Sequence, residues 1–446
     1  GPQRRRLALA WCEILGREVE YLALSRDTTE ADLKQRREII NGSLVWIDQP
    51  PVRAARLGRV LLLDGLEKAE RNVLPTLNNL LENREMSLQD GTFLTAPVRF
   101  DALSTSDGVD FGRLVRVHED FRVVALGLPV PAFPGFPLDP PLRSRFQARH
   151  VGALPLGAAL VELGNTFPKA PRDTIANFVA FADAITRMVQ SGSNLPGPRP
   201  WLLPEGTLKV TCDLLEKFPL EHPAWLLHRS YPYTLLPLEA AKACSDALIG
   251  LGLLEYPQSP SRPRSYVIGG IGPEEVVFKS NTTKDTAPAQ TVSLQFTAGG
   301  QLPNFAITPP LIETPTQSLL LTEAMQAAAL GQNICFVGPS GEGKSALARC
   351  LASMLGYPTA HIHTLHLYKD MTSRDLFQRR TTNASGDTSW DPSPLLTAIL
   401  SGGIAVLDGL QRLRPDTIAA LQSLCNDRDL ELPDGTRLCR HDRFVS

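Results

Sequence analysis

Ile334-Cys-Phe-Val337 runs directly into Gly338-Pro339-Ser340-Gly341-Glu342-Gly343-Lys344-Ser345, and the chain continues as ALARCLASML to Gly356. An apolar run, a glycine-rich turn and an amphipathic run in that order predict strand, loop and helix. The turn fits G-x-x-x-x-G-K-S in the context that pattern requires. Gly338, Gly341 and Gly343 let backbone N–H groups converge on phosphate oxygens, and Pro339, Ser340 and Glu342 complete the loop. Lys344 brings a cation to the β and γ phosphates of ATP, while Ser345 offers a hydroxyl to Mg²⁺. The competing reading, a glycine-rich turn that merely precedes a helix, is weak in that context.

About 63 residues beyond Ser345, the run Ile404-Ala-Val-Leu-Asp408 has the length and composition of a buried parallel strand. It ends where P-loop enzymes place the carboxylate that holds Mg²⁺ through water, so Asp408 joins Ser345 as a metal-site candidate. The alternative is an Asp that caps the helix that follows. Many P-loop ATPases carry a water-polarising Glu next in sequence; here that residue is Gly409.

The same arrangement occurs twice, about 344 residues apart. Val60-Leu-Leu-Leu-Asp64-Gly65-Leu66 matches Ile404 to Leu410. Asn83-Arg84-Glu85 and Asp90-Gly91 match Asp427-Arg428-Asp429 and Asp434-Gly435, and the Asp-Gly pairs predict hairpin turns. Upstream, Asp32-Leu33 with Gln35-Arg36-Arg37 matches Asp375-Leu376 with Gln378-Arg379-Arg380. Aligning Leu15-Gly16 with Leu355-Gly356 sets Arg4 opposite Lys344 and Arg5 opposite Ser345, so the first loop is degenerate and lacks its metal-binding hydroxyl. Beyond a strand expected at Val123 to Leu126, Pro140-Pro-Leu-Arg143-Ser144-Arg145 offers an arginine for a neighbouring subunit's γ-phosphate. Arg145 is the first choice and Arg143 the second; a solvated or locally paired side chain is the competing role. Glu67 and Glu70 read as a solvated helix face, and His361, His363 and His366 as polar strand-end residues rather than a metal cluster.

Strands alternating with helices predict an α/β fold, P-loop modules with a parallel sheet between helices and a helical lid. The expected divisions are 1–150 for the first module, 151–255 for the lid, 256–312 for a linker with a small β element, and 313–446 for the second module. Helices are expected at Thr174 to Val189 and Leu238 to Leu251, and one strand at Thr291 to Phe296. A net charge of −2, from 45 basic and 47 acidic residues, gives no bulk case for nucleic acid as a partner. No apolar run is long enough to span a bilayer, so no membrane insertion is expected. Seven cysteines without a C-x-x-C pair fit reduced thiols.

The P-loop, Gly386-Asp-Thr-Ser-Trp390 ahead of Pro394-Leu395, the Leu-Asp strand and the Asp434-Gly435 hairpin resemble the MoxR and dynein-related branch of AAA+ ATPases. SRDTTEADLKQRREI, LPTLNNLLENREMSLQDG, LGLPVPAFPGFPLDPPLRSRF and LYKDMTSRDLFQRR resemble, more narrowly, a large mitochondrial member of that branch. The resemblance implies ATP-driven remodelling of an unknown client protein and self-association into a ring. It also implies a mitochondrial matrix location and an N-terminal position in a longer protein, with the second module cut short before its own arginine. Where the branch places an asparagine against the γ-phosphate, counting from Phe121 reaches Leu128. That vacancy, with Gly65 and Gly409, supports the contrasting expectation of an ATP-binding scaffold with negligible hydrolysis.

Overall fold

The computed structural model describes residues 2–439 except 104–110, 132, 134, 153, 192–199, 205, 255–264, 273, 282–289 and 296–313. The chain divides into two compact units. One gathers Gly1–Val151 with His363–His441, and the other centres on Gly152–Ile362.

In the first unit, Val60–Asp64 is the middle strand of three. It pairs in parallel with Val19–Ala23 on one side and Arg122–Leu126 on the other, with Asp64 opposite both Ala23 and Leu126. Its leucines are fully buried because both faces are covered. Leu61 and Leu63 pack with Val52, Ala55 and Leu77 on one face, and Leu62 packs with Ala8 and Tyr21 of the other face. The helix Pro2–Ile14 covers that second face. The α/β fold with a parallel sheet between helices is therefore as expected.

The repeat is visible atom by atom within this unit. Ile362–His366 lies beside Ile404–Asp408, and Leu367 N–H donates to Asp408 O at 2.8 Å just as Leu24 N–H donates to Asp64 O at 2.8 Å. Thr372 N–H donates to Asp375 Oδ2 at 2.9 Å and Thr29 N–H to Asp32 Oδ2 at 2.8 Å, closing the same helix cap in both copies. Each cap leads into a hairpin, Gln35–Ile40 with Ser43–Asp48 in the first copy and Gln378–Thr382 with Thr388–Pro392 in the second. The Asp-Gly turns close short antiparallel pairs, and Gly91 and Gly435 sit at φ 87 and 90.

The second unit carries helices Leu156–Thr166, Arg172–Ser191, Thr207–Lys217, Pro223–Ser230 and Leu238–Gly250. Where one strand was expected there is an antiparallel sheet of three, Tyr266–Ile271, Glu275–Ser280 and Thr291–Gln295; Phe296 lies outside the described residues. Phe278 and Tyr266 meet Phe218 edge-on at 5.1 and 5.4 Å, fixing that sheet to the helices. Helices Pro315–Ala329 and Lys344–Met354 complete the unit.

Candidate nucleotide-binding sites

The P-loop belongs to the second unit. Residues 334–337 form no strand there: Cys335 and Val337 are exposed, and no sheet partner is present among the described residues. An apolar tetrapeptide fixes extended backbone only when a neighbour takes its hydrogen bonds, which composition does not report. The loop and helix are as expected. Gly341 and Gly343 adopt left-handed φ values of 90 and 76, and Lys344–Met354 begins at once. Leu347, Cys350, Leu351 and Met354 are the buried anchors of that helix. A Cβ at Gly338, Gly341 or Gly343 would meet nothing within 4 Å, so the turn is open around these glycines. Lys344 Nζ donates to the carbonyl of Pro339, bending the cation back over the loop. An open turn of left-handed glycines at a helix N-terminus, with a lysine folded across it, fits a polyphosphate.

Asp408 lies in the other unit, at the end of Ile404–Asp408. Its side chain is 43% exposed, with His366 Nδ1 at 3.8 Å from Oδ2. Gly409 follows at φ 92, and a Cβ there would stand 3.3 Å from Leu367 O and from the Arg412 side chain. Gly65 repeats this at φ 88, with Lys68 Cδ 2.9 Å from the same position. At both positions the chain leaves its strand in a left-handed conformation that glycine adopts freely and L side chains rarely do, so a glutamate would be strained there.

The corresponding centre of the first copy is closed by its own side chain. Arg5 is 6% exposed and lies 3.1 Å from Asp64 Oδ2 through both Nε and Nη2, while Nη1 donates to Asp427 Oδ2 at 2.5 Å. Tyr21 O–H donates to the same Asp64 oxygen at 2.7 Å. Burial and the Asp64 charge push the Tyr21 phenol well above its ordinary value, so it stays a donor. Arg4 Nη1 reaches the carbonyl of Gly127 at 2.5 Å. A guanidinium therefore sits against the carboxylate that corresponds to Asp408, and it binds the second copy through Asp427. The sequence marked Arg5 only as a lost hydroxyl; the signal for more was an arginine aligned with a metal ligand.

Leu128 offers no side-chain polar group, but its N–H donates to Glu67 Oε2 at 3.1 Å. Glu67 is buried rather than solvated, because its carboxylate is the acceptor for that loop amide. Glu70 is solvated as expected, 3.5 Å from Arg26. Arg145 is half-buried and paired with Glu82, and it donates to the carbonyl of Pro141. Arg143, two residues earlier on the short helix Pro140–Ser144, is exposed. All seven cysteines are free thiols. No described helix is long and apolar enough to cross a membrane.

A glycine-rich loop heading a helix in one unit, and in the other parallel strands ending in an aspartate, are the hallmarks of ATPase-type P-loop proteins. The model of the AAA domain, dynein-related subfamily, matches residues 1–146 and 333–445, and the chain belongs to that family. Over its whole length the chain is 41% identical to von Willebrand factor A domain-containing protein 8 of Mus musculus, of which it spans 23%. It is 34% identical over 103 residues to the denitrification regulatory protein NirQ of Stutzerimonas stutzeri, covering 23% of this chain and 36% of that protein. Across 90% of the chain it is 23% identical to midasin of Dictyostelium discoideum, of which it matches 7%.

Proposed function

We propose that the second module binds MgATP at residues 338–345, hydrolyses it, and couples the cycle to conformational remodelling of a partner protein. The open left-handed glycine turn at the head of Lys344–Met354 is the observation that supports it. Its amides would take the phosphate oxygens and Lys344 would swing from Pro339 onto the β and γ phosphates. Ser345 and Asp408 would hold the metal, which supplies charge neutralisation at those phosphates when bound. An arginine of a neighbouring module would stabilise the transition state, and its source is Arg145 or Arg143. The pairing of Arg145 with Glu82 favours Arg143 as the residue free to reach across. The first module serves as a structural partner, since Arg5 fills its acidic centre. We read 1–150 and 313–446 as the two modules, 151–255 as the lid and 256–312 as the linker. Ring formation by the longer protein, a protein client, no nucleic-acid partner and a mitochondrial matrix location complete this reading.

The contrasting reading is a scaffold that binds ATP and hydrolyses it negligibly, favoured by Gly65, Gly409 and Leu128. Calorimetry of ATP binding at fixed salt and Mg²⁺ tests what the two readings share: Lys344→Ala should abolish measurable affinity, and unchanged affinity removes residues 338–345 as the site. Phosphate release by the longer protein then separates the two, since the scaffold predicts none above background.

A further inference from the structure

The two hairpins of the first unit enclose a cleft of about 640 Å³. Equivalent residues of the two copies line it. Arg36 and Arg37 come from the first hairpin and Arg379 and Arg380 from the second, and in each hairpin the second arginine stands directly opposite a tryptophan, Arg37 across from Trp46 and Arg380 across from Trp390. The copies interlock. The Arg36 guanidinium lies over the Trp390 ring at 4.7 Å, and Arg380 Nη2 donates to the Arg37 carbonyl at 2.6 Å. Ile39 N–H and Gly42 N–H donate to Thr388 Oγ1 and Asp387 Oδ1 at 2.9 and 2.8 Å.

The charge in this cleft is unbalanced. Its lining holds five arginines and two aspartates. Asp32 is taken by Arg374, Asp375 by Arg379, and Arg36 pairs with Glu38 beside it. Arg37 and Arg380 are exposed and have no carboxylate partner among the described residues. The wall also contains an unused donor. Gln378 is 3% exposed and its Nε2 has no hydrogen-bond partner. Its counterpart Gln35 donates to Asp48 and Asp90 at 2.8 and 2.9 Å, but opposite Gln378 the repeat carries Pro392, which offers no carboxylate.

We propose that this cleft binds a carboxylate-rich segment of a polypeptide. Planar guanidiniums donate paired hydrogen bonds to carboxylates, and the two tryptophans supply flat apolar walls for the peptide between its charges. The volume lies in the range of a ligand pocket, so it takes a few side chains of a peptide. A nucleic-acid strand needs a basic track that continues along its backbone. Here Glu38, Asp387 and Asp391 stand on the same hairpins, which confines the positive field to the cleft.

The test titrates the 446-residue chain with a fluorescein-labelled glutamate-rich peptide, reads polarisation, and repeats it with the glutamine counterpart. The glutamate peptide should bind, the glutamine peptide should not, and Arg37→Gln/Arg380→Gln should weaken binding at least about tenfold. Arg37→Gln alone, which breaks no side-chain hydrogen bond or ion pair among the described residues, should weaken it several-fold with an unchanged melting temperature. Arg149→Gln is the remote control and should leave affinity unchanged. Equal binding of both peptides, full affinity in Arg37→Gln, or tighter binding of a single-stranded oligonucleotide would overturn the proposal. No nucleotide is present in this measurement, so its failure is distinct from a failure of the ATPase reading.

Discussion

Replacing Arg5 by serine restores the hydroxyl of a complete P-loop and removes the cation on which the first centre is built. Asp64 and Asp427, each about a fifth exposed, are then left facing one guanidinium-sized gap, compensated only weakly by the solvent-exposed Arg6 at 4.0 Å from Asp427. Removing one member of a buried ion pair costs about 3–5 kcal/mol, and the partial exposure of both carboxylates places this case near the lower figure. Tyr21 keeps its bond to Asp64 but adds no charge, and Arg437 is committed to Asp429 at 2.6 Å. For a unit of this size, about 3 kcal/mol corresponds to a fall in melting temperature of roughly 6–12 °C. Differential scanning calorimetry should show this fall in the transition of the first unit. Because the pair is shielded from solvent, the loss should persist in high salt. Arg5→Ser/Asp427→Asn should lose less than the two single changes summed, which is the signature of direct coupling. A melting temperature for Arg5→Ser within about a degree of the parent would refute the arginine-closed centre.

Gly409→Glu, which installs the glutamate common elsewhere, should destabilise the protein by about 1–3 kcal/mol and fail to raise turnover, because φ 92 strains any L side chain there; a faster enzyme of parental stability contradicts this. Arg143→Ala in the longer protein should lower phosphate release by several powers of ten with ATP affinity retained, and an unaltered rate assigns the role elsewhere. Burial, reinforced by Glu20 and Asp429, pushes the Glu431 carboxyl up to about 8, so the folded state favours its neutral form. A raised acid contributes stability in full below its ordinary value of about 4.5 and loses it as pH climbs through about 8. Glu431→Gln should therefore flatten the decline in stability across that window, and an identical pH profile for the variant rejects the assignment.

Most of the fold was legible because the repeat supplies two independent views of it. The apolar runs ending in Asp64 and Asp408, the Asp-Gly turns and the helical spacing after residue 172 all reflect local backbone demands that a sequence carries openly. The failures are contacts that arise only when distant segments meet. Glu67 looks like any helix-surface carboxylate until the amide of Leu128 is placed against it. The segment 334–337 has strand composition but no ladder among the described residues. The strands Tyr266–Ile271 and Glu275–Ser280 were obscured by Gly269-Gly270, although Val276, Phe278 and Ser280 alternate with exposed or half-buried neighbours. Arg5 was visible as an oddity of alignment, and only its distances to Asp64 and Asp427 turned the oddity into chemistry.

An ion held on a side chain differs from a dissolved one in that it never equilibrates with its surroundings. The guanidinium of Arg5 is present at every ratio of ATP to ADP and at every magnesium concentration, so the joint it makes with Asp427 carries no information about the energy state of its compartment. In the function proposed above, the cycle of loading and discharge therefore belongs to the glycine loop. On the proposed reading, of two copies built to one plan, one is a fixed bearing and the other is left to turn.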